Sequence, residues 1–434
     1  MIFKRKLYDK LLVWKQQTAG TKALLIEGAR RIGKSTLVEE FAKNEYRSYL
    51  MIDFNKVSDS VISAFNNYMN DLDTFFLILS SEYGVRLYPK ESIIIFDEIQ
   101  QFPKARQAIK YLVADGRFDY IETGSLISIK ENVNDITIPS EERTLLMYPM
   151  DFEEFAWAMN EEPLMAYIRQ CFDKKVPLEQ GIHAKAMLLF RQYMIVGGMP
   201  KSLSAYLENN RSFEMADMEK RDILTLYRND IKKIKSGYRS SVLSIFDQIP
   251  AFLSRSERRV VMNRIEKGAS FPKYHDTFFW LSDSMIANEC FNCSDPNVGL
   301  SLNEDRTYVK CYMGDTGLLI SHTFDENEIS DGELYREILL GKLSVNEGMF
   351  YENVIAQMLV AAGHKLYFYT RYNQEKHRND MEIDFILSNH SKLRYKIFPI
   401  EVKSNDKYSI RSLTRFNESF RQRIGGSYVI HPKN

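Results

Sequence analysis

Gly28-Ala-Arg-Arg-Ile-Gly33-Lys34-Ser35 lies between an apolar run, Ala23-Leu-Leu-Ile-Glu27, and a helix-forming stretch that opens Ser35-Thr-Leu-Val-Glu-Glu-Phe-Ala. Two glycines let the backbone curl until successive N–H groups point inward, where the positive end of the following helix adds to the field. Strand, curled turn and helix in that order commit the surrounding chain to an α/β layer and make the turn a seat for phosphates. Gly28, Ala29, Arg30, Arg31, Ile32 and Gly33 are the expected loop contacts, with Thr36 just inside the helix. Lys34 reaches the β and γ phosphates, and Ser35 supplies a hydroxyl to magnesium.

The surroundings agree. Candidate strands at Lys22–Glu27, Tyr46–Asp53, Ser92–Asp97 and Tyr120–Thr123 alternate with helical stretches at Lys34–Asn44, Asp73–Glu82 and Pro103–Ala114. That alternation predicts a doubly wound parallel sheet covered on both faces. Ser92-Ile-Ile-Ile-Phe-Asp97-Glu98 ends in two acids. Asp97 is placed to hold the magnesium shell and Glu98 to orient and deprotonate an attacking water, so hydrolysis of ATP to ADP is expected and not binding alone. Thr123 or Ser125, at the carboxyl edge of the next strand, either contacts the γ-phosphate or its water, or simply ends a strand before a turn. Arg143 stabilises transition-state charge in cis or from a neighbouring subunit, or is an ordinary surface arginine.

At 434 residues the chain exceeds one hydrophobic core and calls for several domains. Lys plus Arg and Asp plus Glu both number 58, so the whole molecule has no net pull on nucleic acid or anionic lipid and any such contact needs a local patch. The longest apolar runs reach about five residues, against the roughly 18 or more of a membrane span. No membrane contact is expected, and a charged start without an apolar signal core places the protein in the cytoplasm. Cys171, Cys290, Cys293 and Cys311 do not make a disulfide framework. Cys290, Cys293 and Cys311 could offer three thiolates to zinc, but no fourth Cys or His stands at a standard spacing, which favours free thiols.

Long helical patterns follow from Asp151, at Asp151–Met159, Gly181–Val196 and Phe213–Lys235, punctuated by Gly197-Gly198-Met199-Pro200. Residues 240–330 give helix, helix, short strand (Tyr308–Met313), an order compatible with a winged helix. Beyond it a helix at Asn346–Ala362 leads to β-rich stretches at Lys365–Tyr369, Glu382–Leu387 and Tyr395–Val402 and a helix at Ile410–Arg421. Basic residues gather at Arg228, Lys232, Lys233, Lys235 and Arg239, and again at Arg255, Arg258, Arg259 and Arg264; these are either a DNA- or RNA-binding face or a solvated one.

Taken together, Gly28-Ala-Arg-Arg-Ile-Gly-Lys-Ser, Phe96-Asp-Glu-Ile-Gln, Thr123-Gly-Ser, Arg143 through Tyr148-Pro-Met-Asp-Phe-Glu-Glu-Phe155, Val196-Gly-Gly-Met-Pro200, Tyr312-Met-Gly-Asp-Thr-Gly-Leu318 and Ile400-Glu-Val-Lys403 resemble a bacterial and archaeal family of AAA-type ATPases. Its members join an AAA domain, a P-loop NTPase of the ASCE class, to a C-terminal domain of unknown function. Arg30 and Arg31 fit the family's polar loop, and Ser35 replaces the usual threonine with an equivalent hydroxyl. Glu352, Asp384, Glu401 and Lys403 look in addition like the PD-(D/E)XK nuclease superfamily, in which carboxylates gather a divalent cation and a lysine stabilises charge. Glu401 and Lys403, two apart on a strand, share a face; charged sheet edges would read the same way.

The resemblance implies an ATP-binding core over 1–155, a helical lid or linker over 156–235, a winged-helix-like region over 236–330 and a restriction-endonuclease-like α/β domain over 331–434. The expected activity is magnesium-dependent ATP hydrolysis coupled to action on nucleic acid, in a monomer or a homo-oligomer. The alternative is a regulatory or interaction protein whose nuclease-like domain does not cut.

Overall fold

Ser92-Ile-Ile-Ile-Phe-Asp97 is buried at every position, as a parallel strand covered on both faces must be. The computed structural model describes all residues except 126–139, 235–236, 256–257, 261–270, 326–331, 343–346, 374–377, 392–393 and 406–407. Its two units are Met1–Tyr148 and Pro149–Asn434.

The first unit runs α1 (Lys6–Gln17), β1 (Ala23–Glu27), α2 (Lys34–Glu45), β2 (Ser48–Asp53), α3 (Asp59–Asn67), α4 (Leu72–Tyr83), β3 (Ser92–Asp97), α5 (Pro103–Asp115), β4 (Asp119–Gly124) and β5 (Glu142–Leu146). All pairings in the sheet are parallel, in the order β2-β3-β4-β1-β5. Leu25, Leu50, Ile52, Ile94 and Phe96 pack on one face with Phe65, Phe75, Leu79, Ile109 and Leu112 from α3, α4 and α5. Leu24, Ile26, Ile93 and Ile95 alternate to the other face, where α2 lies over β2, β3 and β4. The doubly wound layer is therefore present. Its placement of β4 between β1 and β3 decides the chemistry, because the carboxyl ends of all three strands then adjoin, with Glu27 beside Gly124 and Phe96 beside Glu122.

Sequence patterning missed α1, α3 and β5. Glu142-Arg-Thr-Leu-Leu146 is an edge strand with two exposed central positions, so it lacks the apolar run that marks its neighbours.

The second unit contains α6 (Phe152–Ala158), α7 (Glu162–Lys174), α8 (Gln180–Val196), α9 (Pro200–Glu208), α10 (Phe213–Lys232), α11 (Arg239–Leu253), α12 (Phe271–Asp283), β6 (Ala287–Cys293), β7 (Glu304–Met313), α13 (Thr316–Thr323), α14 (Glu333–Leu340), α15 (Glu347–Ala361), β8 (Leu366–Asn373), β9 (Arg378–Ile383), β10 (Phe385–Ser391), β11 (Arg394–Val402), α16 (Arg411–Ser419) and β12 (Tyr428–Ile430). Helix, helix and a strand pair do follow one another around 240–313, but the pair is no free-standing wing. β6 pairs antiparallel with β7 and parallel with β8, giving one sheet β7-β6-β8-β9 that crosses the expected boundary at residue 330. The stretch read as one strand at Glu382–Leu387 is two. The chain bends at Asp384 and passes into a second sheet, β10-β11-β12.

Candidate functional site

The phosphate loop is shaped by what fills its back. A Cβ on Gly28 would lie 2.4 Å from both Ile32 Cδ1 and the Met147 carbonyl oxygen, so only glycine fits beside the chain leaving β5. Arg31 and Gly33 take positive φ, 68° and 91°, which turns the loop tightly into α2. Gly33 caps that helix without a side-chain acceptor, leaving its first N–H groups to an anion. Arg5, unremarked in the sequence, donates to the Ile32 carbonyl at 2.9 Å and the Tyr148 carbonyl at 2.6 Å and so braces the loop from behind. Its only signal was a basic residue in the charged amino-terminal stretch.

Lys34 is 6% exposed, and its Nζ donates to the carbonyls of Gly28 and Ala29, both at 2.9 Å. Burial pulls its pKa down to about 8 against the opposing charges of Glu98 and Asp97. Ser35 Oγ donates to Asp97 Oδ1 at 2.8 Å, and Thr123 Oγ1 donates to the same oxygen. The first turn of α2, β3 and β4 thus converge on one carboxylate. Glu98 follows at φ 54°, a left-handed conformation that costs a non-glycine residue about 1–3 kcal/mol and swings it out of the strand line; Gln100 Nε2 donates to it. Ser125 is buried at the end of β4, while Thr36 is exposed on α2. A hydroxyl and a carboxylate form a donor set that fits a hard cation such as Mg²⁺.

Behind Thr123, Glu122 is fully buried. Arg106 clamps Glu142 with two bonds, of 2.9 and 2.7 Å, and Glu122 is held well above the usual carboxylate range, first by burial and then by the Glu142 charge.

In the second unit, Glu352, Asp384, Glu401 and Lys403 do come together, lining a cleft of about 450 Å³ with Arg258, Glu382, Ser404 and Arg411 among others. A residue outside the expected pattern stands among the acids. Lys310 of β7 is fully buried, with Nζ 3.1 Å from Glu352 Oε1, 3.2 Å from Glu382 Oε1 and 3.9 Å from Asp384 Oδ1. Tyr312 Oη also donates to Glu352 Oε1, Arg258 pairs with Glu352 Oε2, the Val402 N–H donates to Asp384 Oδ2 at 2.8 Å, and Lys403 stands 2.5 Å from Glu401 Oε2. The signal for Lys310 was available: a lysine inside Val309-Lys-Cys-Tyr-Met313, an otherwise apolar strand, must find buried partners.

Residues 20–156 match a family described as an AAA domain. The chain carries an AAA domain at its amino-terminal end. Residues 187–328 and 347–434 match two domains of unknown function, DUF8612 and DUF4143. No curated protein matches. Solved structures similar to the chain include Cdc6p from Pyrobaculum aerophilum (11% identity, 74% of this chain and 93% of that one, TM-score 0.26). AMPPCP-bound DnaA from Aquifex aeolicus (11%, 65% and 90%, 0.25) and the RuvB Holliday junction branch migration motor of Thermotoga maritima (12%, 68% and 90%, 0.27) are similar to the same degree.

Within the AAA domain, Arg143 is not brought to the loop. It is exposed on β5 level with Leu24, three residues short of the strand end. The basic stretches of the second unit are partly engaged as well. Arg228 pairs with Asp247 at 3.1 Å and Asp325 at 2.7 Å, Arg239 bonds the Ile234 carbonyl, and Arg258 faces Glu352. Lys235 and Arg264 lie outside the described residues. The cysteines are free and buried, and among the described residues no helix is long and apolar enough to cross a membrane.

Proposed function

We propose that the AAA domain hydrolyses ATP to ADP with Mg²⁺ and that the second unit couples this cycle to a nucleic acid. The observation that carries the hydrolytic reading is the convergence of Ser35 and Thr123 on Asp97 Oδ1, with the Lys34 ammonium held over the loop beside it. The N–H groups opening α2 and Lys34 would bind the β and γ phosphates, and Ser35 and Asp97 would hold Mg²⁺, which supplies charge neutralisation at the phosphates when bound. Glu98, turned out of β3, accepts the proton of the attacking water. Ser125 contributes a hydroxyl at the same edge, and Arg143 joins only if a second copy presents it. For the coupling, support comes from Arg411 and Ser404 lining the second-unit cleft, a cationic and a hydroxyl group suited to a phosphate backbone. Free buried thiols suit a reducing compartment such as the cytoplasm.

A second reading, an ATP-dependent regulatory or interaction protein with a non-cutting tail, is favoured by Lys310 among the carboxylates. Turnover of ATP by the full chain, alone and with DNA or RNA, tests both. Loss of turnover in Glu98→Gln with ATP still bound is expected for the first claim, and turnover that persists in Glu98→Gln defeats it. Stimulation by nucleic acid supports the coupling, whereas turnover indifferent to DNA and RNA favours the second reading.

A further inference from the structure

The acid cluster of the second unit carries its own cation. Lys310 sits on β7, the edge strand of its sheet, in register with Cys290 of β6, which itself pairs with Leu366 of β8. Its side chain shares a face with Tyr312 and meets Glu352 of α15. A buried ammonium needs acceptors that replace its hydration, and here three carboxylates from separate elements do so. The same arithmetic holds from their side, since Glu352, fully buried, already receives Lys310, Tyr312 and Arg258.

A divalent ion needs several oxygens left open to it, six for Mg²⁺ and six to eight for Ca²⁺. Here Lys310 stands among the acids instead: Glu352 Oε1 and Glu382 Oε1 face its ammonium, Asp384 Oδ2 accepts the Val402 N–H, and Glu401, whose two buried oxygens make no hydrogen bond among the described residues, has Lys403 as its ion-pair partner. Among the described residues, no three His, Cys, Asp or Glu side chains are arranged to hold a metal ion. We propose that Lys310 is the resident cation of this cleft and stands where the acid-and-lysine pattern would put a divalent ion. The cleft is thereby a metal-independent site, built to receive a partner's anionic groups at Arg411 and not to cleave them. This inference rests on the second unit alone and survives or falls independently of ATP hydrolysis.

The test is titration of Mn²⁺ into the nucleotide-free full chain, read by electron paramagnetic resonance of the free ion, for wild type, Asp384→Asn and Lys310→Gln. Wild type is expected to show no Mn²⁺ binding that Asp384→Asn removes. Lys310→Gln is expected to gain a site that the added Asp384→Asn change abolishes. A wild-type site lost in Asp384→Asn overturns the proposal, and so does a folded Lys310→Gln chain that gains none. Should Lys310→Gln fold only when Mn²⁺ is present, that rescue supports the proposal. If it folds under neither condition the wild-type titration decides, together with plasmid nicking in Mn²⁺; nicking lost in Asp384→Asn overturns the assignment.

Discussion

Lys34 and Lys310 are both buried lysines beside strand-end acids, and they do opposite things. Lys34 is held by two neutral carbonyl oxygens, with Asp97 and Glu98 contributing charge to its surroundings. Among the described residues it makes no direct ion pair, so its charge remains available to an arriving phosphate. Lys310 meets three carboxylates within 4 Å and is neutralised by the fold itself. A lysine among backbone oxygens makes a binding site, whereas a lysine among carboxylates makes a structural member.

The contrast breaks most readily at the AAA domain. Glu98→Gln should lower kcat by about 10²–10⁴-fold while calorimetry still finds ATP bound, since general-base catalysis contributes about that much. Lys34→Ala should lose ATP binding itself and leave the unfolding midpoint of the chain nearly unchanged, because the carbonyls it releases can turn to water. Lys310→Ala should do the reverse. Stripping a partner from a buried ion cluster costs about 3–5 kcal/mol, seen in urea as early unfolding of the second unit with ATP affinity preserved. Equal stability losses from the two lysines would mean that the distinction drawn between them is false.

The place of the candidate phosphate site in the first unit was legible because its parts are local. Gly28, Gly33, Lys34 and Ser35 are contiguous, and Asp97 ends a strand whose apolar run announces it. What patterning could not supply was order in the sheet, which brings Thr123 to Asp97, and the bracing by Arg5 from another element. In the second unit Glu352, Asp384, Glu401 and Lys403 line one cleft, and Lys310, which the pattern did not include, joins them from a strand on the far side of an assumed domain boundary.

Val196-Gly-Gly-Met-Pro200 and Tyr312-Met-Gly-Asp-Thr-Gly-Leu318 carried a resemblance without a job, and the fold supplies one. Asp315 caps α13 at Leu318, accepts the Gly198 N–H at 2.6 Å and receives Gln357 of α15 at 3.1 Å. A Cβ on Gly317 would stand 2.6 Å from the Gly197 Cα. The two motifs are one joint. Gly317→Ala should therefore destabilise the second unit by about 1–3 kcal/mol, the usual cost of overpacking, with a lowered melting transition and unaltered ATP binding. Unchanged melting would show that the joint is slack.

The smallest effect is the sharpest probe of Lys34. In the free protein its pKa lies near 8, below the ordinary lysine value, because burial disfavours the ammonium. Below that pH the side chain is charged already, and ATP binding moves no proton on its account. Above it the free site is increasingly neutral, while a bound triphosphate favours the ammonium and raises the pKa again. Binding must then take up a proton, and ATP affinity must fall as pH climbs through 8. Calorimetric titrations in two buffers of different ionisation enthalpy should give uptake near zero at pH 7 and most of one proton at pH 9. Lys310→Gln should leave that uptake untouched if the variant folds, because its carboxylate cluster lies in the other unit. Uptake that is the same at both pH values would mean that Lys34 is not the group the phosphates meet.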